Sequence, residues 1–213
     1  MTHACECRLS HEQVRVVLTG GPGAGKTAAL ETARHRFCEH VEVLPESAGI
    51  VFSGGFPRHA DGASRKAAQR AIYRVQRELE RRVEEQRQAS VVLCDRGTVD
   101  GMAYWPGAPH ELLDDVGTTL DAELARYHAV VHMRTPGAHD YRGSALRIEN
   151  AVDAHAIDEA IVRAWQAHPR RYYVDSTANF LEKIQRVLTL VREIVPVCCR
   201  PNHEPHARTV AET

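Results

Sequence analysis

No apolar run in this 213-residue chain approaches the roughly 18 residues a membrane helix needs; the longest are short segments such as 14–18 and 91–94. A helical membrane span is therefore not expected. Net charge is almost absent: 27 Lys and Arg face 28 Asp and Glu, a formal −1, so no global field draws the molecule onto nucleic acid or an anionic bilayer. The long basic helix proposed below is interrupted by Glu78, Glu80, Glu84 and Glu85, which further disfavours a nucleic-acid partner. The opening residues (MTHACECRLSHEQ) lack a continuous apolar stretch and a small-residue cleavage pattern, so a cytoplasmic location is the expectation. No internal repeat is present. Lysine is scarce: only Lys26, Lys66 and Lys183 among the 27 basic residues.

What is there is globular. Apolar residues at 43% and charged residues at 26% fit one compact domain with a real core. Six cysteines occur, at 5, 7, 38, 94, 198 and 199. Cys94 ends an apolar strand and Cys38 lies in a helical stretch, as reduced core cysteines do. Cys5, Cys7, Cys198 and Cys199 with His203 and His206 are zinc-type donors, but the two clusters sit at opposite ends of the chain and match no zinc spacing, so incidental thiols are the plainer reading.

Turn signals divide the chain into alternating strand-like and helix-like pieces, the pattern of a parallel sheet with crossover helices. Strands are expected at 15–18, 41–44, 90–94, 129–133 and 172–174, and helices at 26–40, 63–88, 111–126, 152–166 and 180–195. On the second helix Ala68, Ile72, Val75, Leu79 and Val83 form an apolar stripe. The Ser176, Thr177 and Asn179 cluster suits a cap for the last helix. Segments 52–62 and 98–110 read as irregular loops, the second carrying Tyr104 and Trp105 as rings for stacking or for the core. This gives an N-terminal extension at 1–13, a folded domain at 14–195 and, at 196–213, a proline-bearing tail of low apolar content expected to be disordered or loosely attached.

The segment VRVVLTGGPGAGKTAALETA places Gly20, four residues, then Gly25, Lys26 and Thr27 between a strand and a helix. That is a phosphate-binding loop in its required context. Backbone N–H groups of a glycine-rich turn point at a phosphate, and the following helix presents its positive end. Lys26 supplies a compact charge to the β- and γ-phosphates and the Thr27 hydroxyl a ligand for Mg²⁺. The nucleotide-binding set is Gly21, Pro22, Gly23, Ala24, Gly25, Lys26, Thr27 and Ala28, joined by Thr177 near the base.

Asp95 ends a second strand (SVVLCDRG) and is the candidate carboxylate beside the metal; the alternative is a turn residue. Arg96 is placed to reach a transferring phosphoryl group or to form a structural ion pair. Glu46 follows the strand VEVL, and strand ends converge on one edge in such sheets, so it is the candidate base for an acceptor hydroxyl; its alternative is a capping role. In HMRTPGAHDYRGSALRIEN, Arg134, Arg142 and Arg147 lie close to Tyr141 and Glu149, a composition suited to a lid over ATP, with Arg142 also contacting the nucleotide.

In order and spacing, GGPGAGKT, VLPESAG, LCDRGTVDG and YRGSALRIE resemble the AAA-type domain shared by bacterial nicotinamide-riboside kinase proteins and an animal GTP-binding TRP-channel translocation-defect protein. The likeness spans about 14–195, and only the phosphate loop is specific by itself. It implies an α/β three-layer P-loop NTPase fold with a five-stranded parallel sheet. It also implies Lys26 and Thr27 as phosphate and magnesium contacts, Asp95 on the metal side, and Arg142 and Arg147 in the lid. No second domain of the adenylyltransferase type is legible, so an NAD-salvage role is not implied, and no N-K-x-D is present to support a Ras-like guanine pocket. The expected function is a nucleoside-like small-molecule kinase using Mg-ATP on an unidentified hydroxyl acceptor, with Glu46 as base. The alternative is an ATP- or GTP-binding switch, or slow NTPase, acting through a protein partner.

Overall fold

Valine-rich segments too short to span more than one layer become the strands of one sheet. The computed structural model describes residues 11–135, 151–176 and 179–200. In chain order the elements are β1 (Val14–Thr19), α1 (Lys26–Arg36), β2 (Val41–Leu44), α2 (Ser47–Ser53), α3 (Gly62–Gln86) and β3 (Val91–Asp95). There follow a 3-10 turn (Thr98–Asp100), α4 (Gly101–Tyr104), α5 (Glu111–Val116), α6 (Leu120–Leu124), β4 (Ala129–Met133), α7 (Ala151–Ala164), β5 (Arg171–Val174) and α8 (Phe180–Ile194). A second 3-10 turn, Val197–Cys199, continues the ordered body past Pro196. The sheet has the order β2-β3-β1-β4-β5, and every pairing is parallel.

A parallel sheet is covered on both faces, which is why its strands carry apolar residues at successive positions. Val16, Leu18, Val91, Leu93, Val131 and Met133 pack against Leu30 and Ala33 of α1 and Ile184, Val187, Leu188 and Val191 of α8. The alternate residues Val17, Val92, Cys94 and Val130 face Tyr73 and Val83 of α3, Leu112 and Leu113 of α5, and Ile161 and Trp165 at the end of α7. None of the described helices is long and apolar enough to cross a membrane.

The expected strands agree with the observed ones to within one residue at each end. Three helical expectations need correction. The single helix at 111–126 is two: Gly117, in the left-handed region at φ +78, closes α5, and the Thr119 side chain caps α6 by accepting from the Ala122 N–H. The segments at 52–62 and 98–110, expected to be irregular, are partly helical: α2 runs to Ser53 before Gly54 ends it, and 98–104 forms the 3-10 turn and α4. Helix α1 stops at Arg36, leaving Cys38 beyond its end.

The face buried by α3 is also rotated from the apolar stripe. Tyr73, Gln76, Glu80 and Val83 are buried, while Ile72, Val75 and Leu79 are half-buried. The cause is polar. Glu80 is 1% exposed and accepts from Gln76 Nε2 at 2.7 Å and Tyr127 Oη at 2.8 Å while pairing with Arg126. Glu123, fully buried, accepts from Tyr73 Oη at 2.8 Å, Thr98 Oγ1 at 2.6 Å and Arg126 at 2.6 Å. Burial works to raise the Glu123 pKa, and the hydrogen bonds from Thr98 and Tyr73 with the Arg126 charge bring it net below the usual range. Because Thr98 also donates its N–H to Tyr127 Oη at 3.0 Å, this network fixes the turn after β3.

Glu80→Ala removes the buried acceptor of the Tyr127 hydroxyl and the Gln76 amide and leaves the half of the Arg126 guanidinium that does not reach Glu123 unpaired in the interior. Urea denaturation is expected to show a loss of about 3–5 kcal/mol, whereas Arg82→Ala, which removes a part-exposed pair with Glu42, should cost under about 1 kcal/mol.

Candidate active site

The chain leaves β1 at Thr19 and enters α1 at Lys26, and the loop between them turns through glycines at positive φ. At two of them no side chain fits. A Cβ on Gly20 (φ +138) would stand 2.0 Å from the Met133 carbonyl oxygen, and one on Gly25 (φ +94) 2.7 Å from the Phe180 ring. Gly25 offers α1 no side-chain cap, and the first turn of α1 holds no acidic residue. The orphan N–H groups and the positive end of the helix are left for an anion. Lys26 is 8% exposed and donates from Nζ to the carbonyls of Gly20 at 3.0 Å and Gly21 at 3.3 Å. Burial, seconded by the Arg96 charge, pulls its pKa down to about 8. Thr27 is exposed beside it.

Sheet order supplies the opposite wall. Asp95 at the end of β3 is level with Leu18 of β1, and the Arg96 N–H donates to the Leu18 carbonyl at 3.0 Å. One strand further out, β2 delivers Glu46 at the N-cap position of α2, but its side chain does not cap that helix. It accepts instead from Arg96 Nε at 2.9 Å, so Glu46 does not cap α2, and Arg96 is held in the ion pair, one of its two sequence alternatives. Arg96 also lies 3.5 Å from Asp100 and stacks 5.4 Å over the Tyr104 ring. Its backbone is left-handed at φ +71, a conformation non-glycine residues keep mainly where their surroundings impose it.

Asp95 is 8% exposed, and its Oδ1 has no hydrogen-bond partner among the described residues. Burial, opposed by Lys26 and reinforced by Glu46, pushes its pKa up to about 6. A buried carboxylate oxygen without a donor, within reach of the Lys26 charge and facing the loop that carries Thr27, suits a hard cation with oxygen ligands.

Two residues escaped the sequence. Asp100, 3% exposed, accepts from the Gly97 N–H at 2.8 Å, from the Thr19 hydroxyl and from Trp165 Nε1 at 3.4 Å. The repeated acid of DRGTVD was its only sequence signal. Asp158, fully buried on α7, accepts from the Gly21 N–H at 2.8 Å, bonds His132 Nε2 at 2.9 Å and pairs with Arg134 at 3.3 Å. It clamps the phosphate loop to β4 from 137 residues away, and no spacing rule announces such a contact.

Lys26, Glu46, Asp95 and Arg96 therefore meet at one sheet edge with Gly21, Pro22, Gly23, Ala24, Gly25, Thr27 and Ala28. Of the two candidate stacking rings, Trp105 is 5% exposed in the core and Tyr104 lies against Arg96, so Trp105 is not a platform for a base. Phe180, 49% exposed against Gly25, is the aromatic ring beside the loop. Arg142, Arg147, Tyr141, Glu149 and Thr177 lie outside the described residues, as do Cys5, Cys7, His203 and His206.

A folded Asp95 that holds its proton up to about pH 6, against 3.8 for the free carboxyl, makes stability fall as pH rises through that window. The cost, about 3 kcal/mol, is complete above the window. In the presence of EDTA, Asp95→Asn is expected to exceed the wild type in urea resistance at about pH 7.5. The difference should shrink to nothing as pH falls toward 4.

A family profile described as "AAA domain" matches residues 15–183. No curated protein matches the chain. Among solved structures, thymidylate kinase from Candida albicans is similar at a TM-score of 0.63, with 12% sequence identity over 87% of this chain and 93% of that one. That likeness is one of fold, a P-loop nucleotide-kinase architecture, and the profile, spanning loop, β3 acid and α7 clamp, supplies the kinship: the chain belongs to the AAA-domain family of P-loop nucleotide-binding proteins.

Proposed function

We propose that this protein is a small-molecule kinase that moves the γ-phosphoryl group of Mg-ATP to a hydroxyl of a nucleoside-like acceptor. The observation that carries the reading is the convergence of Glu46, Asp95 and Arg96 on the buried Lys26. A hydrolase needs only a water; a second carboxylate one strand beyond the metal-side acid gives an acceptor hydroxyl somewhere to send its proton.

In this reading the loop N–H groups and α1 hold the β-phosphate, and the Lys26 ammonium leaves the Gly20 and Gly21 carbonyls for the phosphate oxygens. Thr27 and Asp95 would hold the magnesium ion, which supplies charge neutralisation across the β- and γ-phosphates. Glu46 accepts the acceptor's proton, positioned by Arg96, whose guanidinium adds a second cation beside Lys26 on the cleft side. Arg142 and Arg147 close over the nucleotide and exclude water. Thr177 and Phe180 flank the base. The thymidylate kinase likeness puts nucleosides and nucleoside monophosphates first among acceptors to try.

The test is ADP release from Mg-ATP and Mg-GTP, with and without a panel of those acceptors, followed by mass analysis of any product. A phosphorylated acceptor and at least tenfold stimulation are expected. Indifference to every acceptor, with tight binding and slow hydrolysis, replaces the kinase with a nucleotide-dependent switch.

Two variants divide the roles. Lys26→Ala should weaken nucleotide binding about 10- to 100-fold by calorimetry, the worth of a charge-assisted hydrogen bond. Glu46→Gln should leave that affinity within about twofold and slow transfer about 10²- to 10⁴-fold.

A further inference from the structure

At the opposite edge of the sheet from the phosphate loop, three stretches of chain far apart in sequence bring sulfur and nitrogen donors together. Cys38 and His40 lie between α1 and β2, and Cys199 ends the last 3-10 turn, 161 residues from Cys38. Cys38 is 8% exposed and Cys199 2%, while His40 is half-buried. Cys199 Sγ lies 3.4 Å from His40 Nδ1, and Cys38 Sγ lies 3.9 Å from the same nitrogen. One donor atom from each of the three residues lies within 4.8 Å of the others. His11, just before β1, brings its Nε2 to 3.9 Å from Cys199 Sγ.

We propose that Cys38, His40, Cys199 and His11 form a structural zinc site that fastens both ends of the folded chain to the base of the sheet. Distances support it. Zinc–sulfur bonds of about 2.3 Å and zinc–nitrogen bonds of about 2.0 Å at a tetrahedral angle require sulfur–nitrogen edges of about 3.6 Å. The three measured separations, 3.4, 3.9 and 3.9 Å, straddle that value. Donor chemistry supports it too: two thiols and two imidazoles select zinc and offer magnesium no oxygen.

The backbone holds these donors in place. The His40 carbonyl accepts from the Ser90 N–H at 2.8 Å and the Val91 N–H at 3.1 Å, the Cys38 carbonyl from Val41 at 3.0 Å, and the Cys199 N–H donates to Pro196 at 2.8 Å. Binding converts the two thiols to thiolates and releases their protons. The set differs from the one offered by the terminal sequence motifs, because the internal Cys38 and His40 supply half of it. Since the site is at the far edge of the sheet from Lys26, it stands or falls separately from the nucleotide chemistry.

The full-length protein, purified without a metal-chelating tag, is assayed for zinc by mass spectrometry, then stripped and titrated with cobalt(II). About one zinc per chain is expected, with a cobalt spectrum showing tetrahedral d–d bands and thiolate charge transfer. Cys38→Ser/Cys199→Ser should lose the metal, and His11→Ala should weaken it at least tenfold. Cys5→Ser/Cys7→Ser/Cys198→Ser should retain one equivalent, as should Lys26→Ala. Should the Cys38/Cys199 variant not fold, wild-type protein answers through a melting temperature that drops on chelation and recovers with added zinc. A metal-free wild type with no thiolate–cobalt band overturns the proposal. So does a Cys38–Cys199 disulfide detected by mass, or zinc that leaves with Cys5, Cys7 and Cys198.

Discussion

Burying the Lys26 ammonium is the constraint around which the nucleotide end of this protein is organised. An isolated charge of that kind is costly to hold away from water, and its lowered pKa registers the cost. Compensation comes from the Gly20 and Gly21 carbonyls and from three carboxylates, Asp95, Glu46 and Asp100, delivered by strand ends and the turn after β3. Arg96 then keeps those carboxylates apart from one another while paired to two of them. Two cations face three carboxylates at short range, so a change at one member alters the others. A polyanionic ligand enters a site where cations and backbone N–H groups are in place before it arrives.

The buried carboxylates of Glu80 and Glu123 are the support behind that set. They bind no part of the nucleotide edge directly, yet Thr98, Tyr127 and Arg126 carry their hydrogen bonds to the turn that holds Arg96 and Asp100. This explains why α3 turns a partly polar face inward. A helix with Gln76 and Glu80 on its buried line gains little from apolar burial there, and the network gives the turn after β3 one defined position. Asp158 does the corresponding work on the other side, holding the phosphate loop against β4.

Parallel strands give the sheet two unlike edges. Carboxyl ends gather the loop, Asp95 and Glu46, whereas amino ends gather the segments before β1 and β2 and the turn after α8. At the second edge Cys38, His40 and Cys199 cluster, and His11 lies beside Cys199.

How much of this was legible depended on the range of the interaction. Strand positions, the glycine loop with Lys26 and Thr27, and the acids at the ends of β2 and β3 followed from local spacing, because a strand-loop-helix phosphate site is built within about a dozen consecutive residues. The division at Gly117 was a missed local signal, an unassigned glycine at a positive φ. Only the tertiary structure decided the rest. Glu46 meets Arg96, Asp158 meets Gly21 and Cys199 meets His40 because sheet order and helix crossover bring them together, and residues 50 to 160 positions apart leave no periodic trace of a shared hydrogen bond. The sequence by itself determined that a phosphate-binding loop stands at the end of a buried parallel strand; which carboxylates, which arginine and which thiols share its sheet was settled by packing, where a buried polar group must find its partner wherever the fold places one.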